Sequence, residues 1–289
     1  MFRTVLFALL FVGLGVPAAI LAQDSATKRE ESKPPAAPAA TKLAKFDPPE
    51  MSEIPAGPMG EAIRMGHQIL TDTQTHAKEN VGNGLNCTSC HLNAGRTQYT
   101  APWVGIWGVF PEYRSRNAKV NALQERVNDC FERSMNGKPL EPTDEKMSAI
   151  LAYMWWLSKD VPTGMNVEGR GFQRIKPDRA PDVTRGKELY GEKCVACHGE
   201  DGAGQTGPEG AYMFPALWGP RSFNIGAGMA RLNTAAAFIK SSMPLGQGGS
   251  LTNQEAYDIA AYFTQQPRPD FKKKSQDWPK GDKPPDARY

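Results

Sequence analysis

Two copies of Cys-x-x-Cys-His, Cys87-Thr88-Ser89-Cys90-His91 and Cys194-Val195-Ala196-Cys197-His198, constrain this chain more than any other feature. The pattern is that of covalent haem c attachment: two thiols add across the vinyl groups of one haem, and the adjacent histidine supplies an iron ligand. The copies use four of the five cysteines and two of the four histidines. A zinc site would want further ligands at short, regular spacing, and a thioredoxin-like redox pair would not need the histidine. The motifs therefore predict two covalently bound haem c groups, one on Cys87, Cys90 and His91, the other on Cys194, Cys197 and His198. Cys130 is left without a disulfide partner.

The N-terminus fits an exported protein. Met1-Phe2-Arg3 is a short basic start, Thr4 to Leu21 is apolar, and Ala22-Gln23 offers a cleavage position among small residues. An uncleaved anchor is the alternative, since the run is near the roughly 18 residues that begin to span a bilayer. Pro17, Ala18, Ala19 and Ala22 favour a signal peptide over residues 1–22, and either reading places the folded part in the periplasm. Residues 23–50, rich in Lys, Ala and Pro, read as a disordered tether. A formal net charge of +3 is too mild for nucleic acid. The dense basic run Lys272-Lys273-Lys274 falls in a C-terminal tail, 269–289, expected to lie solvated along the surface.

An internal repeat divides the rest. Gly66-x-x-Ile69-Leu70 precedes the first motif and Gly186-x-x-Leu189-Tyr190 the second, each at helical spacing. A second similar helix follows in each copy, at Ile150-Leu151-Ala152-Tyr153 and Ile259-Ala260-Ala261-Tyr262. From His91 to Tyr153 is 62 residues, and from His198 to Tyr262 is 64. The expectation is an all-α chain of two tandem class I cytochrome c domains, 51–160 and 181–268, joined by a linker at 161–180. In such domains the first and last helices cross, and Gly66 and Gly186 would permit close approach. Asp144 and Thr252-Asn253 suit the starts of the last helices. The first copy carries about thirteen extra residues, Thr71 to Asn83, ahead of its motif.

A second protein ligand turns a haem into an electron carrier and sets its potential. In the second copy Met243, before Pro244 and a Gly-rich loop, is the candidate, with Met213 and Met229 as rivals. In the first copy Met135 holds the matching position, and Cys130 competes with it. As a structural residue Cys130 would simply be small and buried. Bis-histidine ligation would need His67 or His76; His67 reads as a surface or packing residue on the first helix.

The string Asn128-Asp129-Cys130-Phe131-Glu132-Arg133-Ser134-Met135-Asn136-Gly137, with Gly84-Leu85-Asn86 leading into the first motif and Asp277-Trp278-Pro279 in the tail, resembles the dihaem thiosulfate dehydrogenase family. The likeness runs from about Met51 to the C-terminus. It implies that His91 and Cys130 ligate a catalytic first haem, and that His198 and Met243 ligate a second haem that passes electrons to an external cytochrome or other redox partner. Some members carry a lysine beside the second methionine as an alternative ligand; here the neighbour is Ser242 and the nearest lysine is Lys240.

The implied reaction joins two thiosulfates into tetrathionate, in either physiological direction. Both reactants are dianions, so cations must line their pocket. Arg114-Ser115-Arg116, Lys119 and Arg126 supply charge ahead of Cys130, and Arg126 lies one helical turn from it. Arg116 and Arg126 correspond to substrate-binding arginines of the family; the plain alternative is a solvated basic helix face. A non-catalytic dihaem electron carrier, with Met135 as ligand, and a subunit that conjugates thiosulfate to a carrier protein are the competing functions.

Overall fold

Pro58 fixes the first turn of α1 (Pro58–Thr71), and Ile63, Gly66, Ile69 and Leu70 recur along one buried face. The computed structural model describes residues 42–207 and 212–289; the expected signal peptide and the tether as far as residue 41 lie outside them. The extra segment of the first lobe forms a turn, α2 (Thr73–His76), capped by the Asp72 carboxylate, and a short 3-10 turn at Lys78–Asn80. The first Cys-x-x-Cys-His follows, then α3 (Leu92–Gly95). A short hairpin pairs β1 (Glu112–Arg114) with β2 (Lys119–Asn121) and leads into α4 (Leu123–Arg133). The lobe closes with α5 (Glu145–Trp156), whose N-cap Asp144 accepts from the Lys146 N–H.

α1 and α5 cross at Gly66, where a Cβ would collide with the Ala149 carbonyl oxygen. Ile63, Met147, Ile150 and Tyr153 are fully buried around this crossing. Each such side chain contributes about 1.5–3 kcal/mol by leaving water.

The second lobe repeats the scheme. Asp182 caps α6 (Val183–Lys193) through the Thr184 and Arg185 N–H groups, and α7 (Val195–His198) carries the second motif. β3 (Gln205–Thr206) and β4 (Tyr212–Phe214) pair as a minimal ladder. α8 (Leu232–Ser242) then packs on α9 (Asn253–Gln265), which begins with a Thr252–Glu255 capping box. Gly186 lies against the Asp258 carbonyl as Gly66 lies against that of Ala149. Both glycines thus allow the close crossing the repeat anticipates, and each lobe has the helical framework of a class I cytochrome c.

The segments outside the lobes pack more closely than sequence suggests. Residues 42–50, read as tether, run against the linker and the first lobe: Ala44 exchanges backbone hydrogen bonds with Asn166 and Glu168 of the linker, and the Pro49 carbonyl accepts from Arg96 of the lobe. The linker lies back on the first lobe, the Gly169 and Gly171 carbonyls accepting from the Tyr99 and Ala101 N–H groups at 2.8 Å. The tail departs from the solvated strand expected of it. Lys272 to Lys274 are exposed, but Phe271 and Trp278 are buried. Asp277 receives both Arg133 Nη1 and Nη2 at 2.8 Å. Arg133 ends α4, stacks on Phe271, and offers its carbonyl to the Asn224 N–H of the second lobe. The two lobes and the tail form one compact unit.

Candidate active site

The first motif is held from two directions. The Thr73 hydroxyl accepts from the Cys87 N–H at 3.1 Å, and Gln74 donates to the Leu85 carbonyl. On the far side, Gly82 donates to the Met135 carbonyl and Lys138 to that of Asn80. The thirteen-residue insertion therefore ties the motif to the end of α4, the helix that carries Cys130.

Between them lies a cavity of about 250 Å³, with Cys87, Cys90 and His91 on one side and Cys130, Ser134 and Met135 on the other. His91 Nδ1 meets the Ala101 carbonyl at 2.6 Å. A carbonyl only accepts, so Nδ1 carries a proton and Nε2 is the ring nitrogen left to face the cavity. Cys130 Sγ accepts from Arg126 Nη1 at 2.9 Å. Burial pushes this thiol up, but the Arg126 guanidinium and His91 outweigh it and bring it down to about 6. In the same cavity burial pushes the Cys87 and Cys90 thiols up to about 12. Cys130 is the thiolate of the group, a soft anionic donor across the cavity from an imidazole.

A second cavity of about 310 Å³ is lined by Cys194, Cys197, His198 and Met243. His198 Nδ1 meets the Pro215 carbonyl at 3.0 Å, and burial, partly opposed by that carbonyl, holds its pKa below the usual histidine value. The ring is thus neutral with Nε2 available. Met243 ends α8 and faces this cavity from an extended backbone; Met213 and Met229 also reach it, Met213 being largely exposed. Both cavities fit haem c: each has paired thiols, a histidine whose Nδ1 meets a backbone carbonyl and a further sulfur donor, in predominantly apolar walls. Leu85, Asn86, Cys90, Phe223 and Met229 line both, so one layer of side chains separates them.

Arg126 faces the first cavity, as the sequence reading placed it, and Arg116 does not. Arg116 turns toward the tail: its guanidinium donates to the Gly226 carbonyl and stacks on Trp278 at 5.0 Å, and its own carbonyl accepts from the Trp278 N–H at 2.6 Å. Burial and the neighbouring Arg133 lower its pKa to about 10. The other cavity arginines are Arg114, on β1, and Arg170, from the linker, both paired with Glu112. Arg170 was missed as a site residue; its flanking glycines at 169 and 171 were the available signal. His67 packs edge-on against Tyr153 at 5.4 Å and His76 is exposed, and neither lines these two cavities.

Comparison with known proteins agrees with this geometry. Residues 73–163 match the family described as SoxA/TsdA, cytochrome c domain, and residues 181–263 that described as cytochrome c oxidase, cbb3-type, subunit III. The chain is 51% identical over 240 residues to a thiosulfate dehydrogenase of Psychrobacter arcticus, covering 83% of this chain and 73% of the relative. It is 45% identical to a thiosulfate dehydrogenase of Allochromatium vinosum, covering 79% and 86%. The solved thiosulfate dehydrogenase (TsdBA) of Marichromatium purpuratum in its as-isolated form superposes with a TM-score of 0.75 at 41% identity over 78% of this chain, which spans 50% of that one. With two cytochrome c lobes, a cysteine facing the first cavity and relatives of this identity over most of its length, the chain belongs to the thiosulfate dehydrogenase family of dihaem c-type cytochromes.

Proposed function

We propose that the first cavity couples two thiosulfates into tetrathionate and that the second lobe passes the electrons to an external redox partner, a cytochrome or other carrier, in the periplasm. The observation that carries this reading is the Cys130 thiolate, held by Arg126 at 2.9 Å and facing His91. Cys87, Cys90, His91 and Cys130 would hold the first haem, and Cys194, Cys197, His198 and Met243 the second. When bound, the two haems accept the two electrons that the coupling releases.

Arg126, with Arg114 and Arg170 nearby, counters the charge of the entering dianions, whose mutual repulsion is fourfold that of two unit charges at the same distance. A guanidinium fork matches sulfonate oxygens as it does carboxylate or phosphate. In the covalent route, Cys130 Sγ bonds the outer sulfur of the first thiosulfate with loss of two electrons, giving a cysteine S-thiosulfonate. The second thiosulfate attacks that outer sulfur in line, forming the new S–S bond and expelling the Cys130 thiolate. The sum is two thiosulfates to one tetrathionate and two electrons.

The test is anaerobic addition of thiosulfate to the oxidised protein and to Cys130→Ala, following haem reduction and tetrathionate together. Reduction with tetrathionate in the parent, lost in the variant, is expected. A parent that stays oxidised while dithionite reduces both haems would leave an electron carrier instead. Peptide mass analysis during turnover should find the thiosulfonate on Cys130; its absence under proven turnover would remove the covalent route.

A further inference from the structure

The segment that carries Met243 is unusually free by composition. Residues 243–251 include Gly246, Gly248 and Gly249, two of them at positive φ, and residues 245–250 are exposed. Glycine-rich loops lose the most conformational entropy on ordering. Yet the loop returns to its starting helix. The Gly249 N–H donates to the Lys240 carbonyl at 2.9 Å, and Gly248 packs so tightly against the Ser241 carbonyl that a Cβ there would collide. Lys240 Nζ then donates to the Gly249 carbonyl at 2.8 Å and to that of Leu251. Leu251 is buried and begins the approach to α9. One ammonium, fixed on the last turn of α8, thus holds the far end of the loop whose near end is Met243.

We propose that Lys240 is the positioning residue of the second haem site: by stapling residues 249–251 to α8 it keeps the Met243 thioether aimed into the cavity in both oxidation states. The inference rests on the reading that Met243 is the second ligand. Two of the three ammonium donors are committed to loop carbonyls, which directs this side chain along the loop and away from the cavity. Lys240 is absent from the cavity lining, whereas Met243, Pro244, Leu245 and Leu251 belong to it. An ammonium can satisfy two diverging carbonyls at once, as a leucine or methionine of similar length cannot.

The experiment compares the holoprotein with Lys240→Met, Lys240→Arg and Met243→Leu. The readouts are the long-wavelength absorption band of thioether-ligated ferric haem, the reduction potential of the second haem, and carbon monoxide binding to the ferrous form. Met243→Leu should abolish the band and open the site to carbon monoxide; if it does neither, Met243 is not the ligand and the underlying reading fails. Given that result, Lys240→Met should weaken the band, lower the potential and admit carbon monoxide, while Lys240→Arg restores the parent behaviour. A Lys240→Met protein with parental band, potential and ligand resistance would overturn the staple. Haem content and thiosulfate-driven reduction of the first haem, measured in parallel, separate a local effect from loss of fold.

Discussion

At Cys130 two opposing effects act on one sulfur. Burial alone would leave a neutral thiol, as it does at Cys87 and Cys90; the Arg126 guanidinium and His91 reverse the outcome. Arg126→Gln removes the charge and withdraws the donor from Cys130 Sγ. A hydrogen bond to a charged group contributes about 1.5–3 kcal/mol, so kcat/KM for thiosulfate should fall roughly ten- to hundredfold, with haem content unchanged. Steady-state kinetics with an artificial acceptor would measure it, and unchanged kinetics would exclude Arg126 from the site. Arg126 could be placed beside Cys130 because the two lie one turn apart on one helix, whereas Cys130 itself stood out only through the family resemblance, since the repeat alone favours Met135. Arg170 was not: it lies forty residues beyond Cys130 and reaches the cavity only because the linker folds back.

The helix crossings form the next scale. Gly66→Ala and Gly186→Ala each place a Cβ against a backbone carbonyl that cannot move without shifting its helix. Overpacking of this kind costs about 1–3 kcal/mol, to be read as a lowered thermal midpoint of the holoprotein. The α6–α9 crossing also carries a titratable clamp. The buried Asp258 carboxylate accepts from the Asp182 N–H, Gln254 and both Arg179 amino groups. Burial pushes its pKa up, but these donors outweigh it and hold the group below the ordinary carboxylate value. Its stabilisation is therefore fully present above the unfolded value, about 3.9, and is lost as pH falls through the folded value. Asp258→Asn should lower stability at neutral pH by about 1.5–3 kcal/mol, with the difference from the parent shrinking in acid; a pH-independent difference would reject the clamp. Crossing glycines and N-caps could be read from sequence because their signals are local. The insertion between α1 and the first motif could be seen but not interpreted, since its partners, Asn80 with Lys138 and Gly82 with Met135, are more than fifty residues apart.

Across the whole molecule, the tail closes the structure. Arg133 and Asp277, 11% and 3% exposed, pair across 144 residues. Removing one partner of a buried pair strands the other charge, at a cost of about 3–5 kcal/mol. Asp277→Ala should lower the denaturation midpoint accordingly, and Arg133→Leu in that background should recover part of the loss; no recovery would mean that the pair is not coupled. Such long-range pairing leaves no periodic trace in a sequence, which is why the tail read as solvated. The first cavity shows the same dependence: its walls come from α1, the first motif, the hairpin, α4, α5, the linker and, through Phe223 and Met229, the second lobe. Recombination at the linker would therefore hand on a haem-binding module without the pocket that gives it a substrate. The heritable unit of this activity is the pair of lobes, and lineages can be expected to gain it, lose it or fuse it to other proteins as one piece.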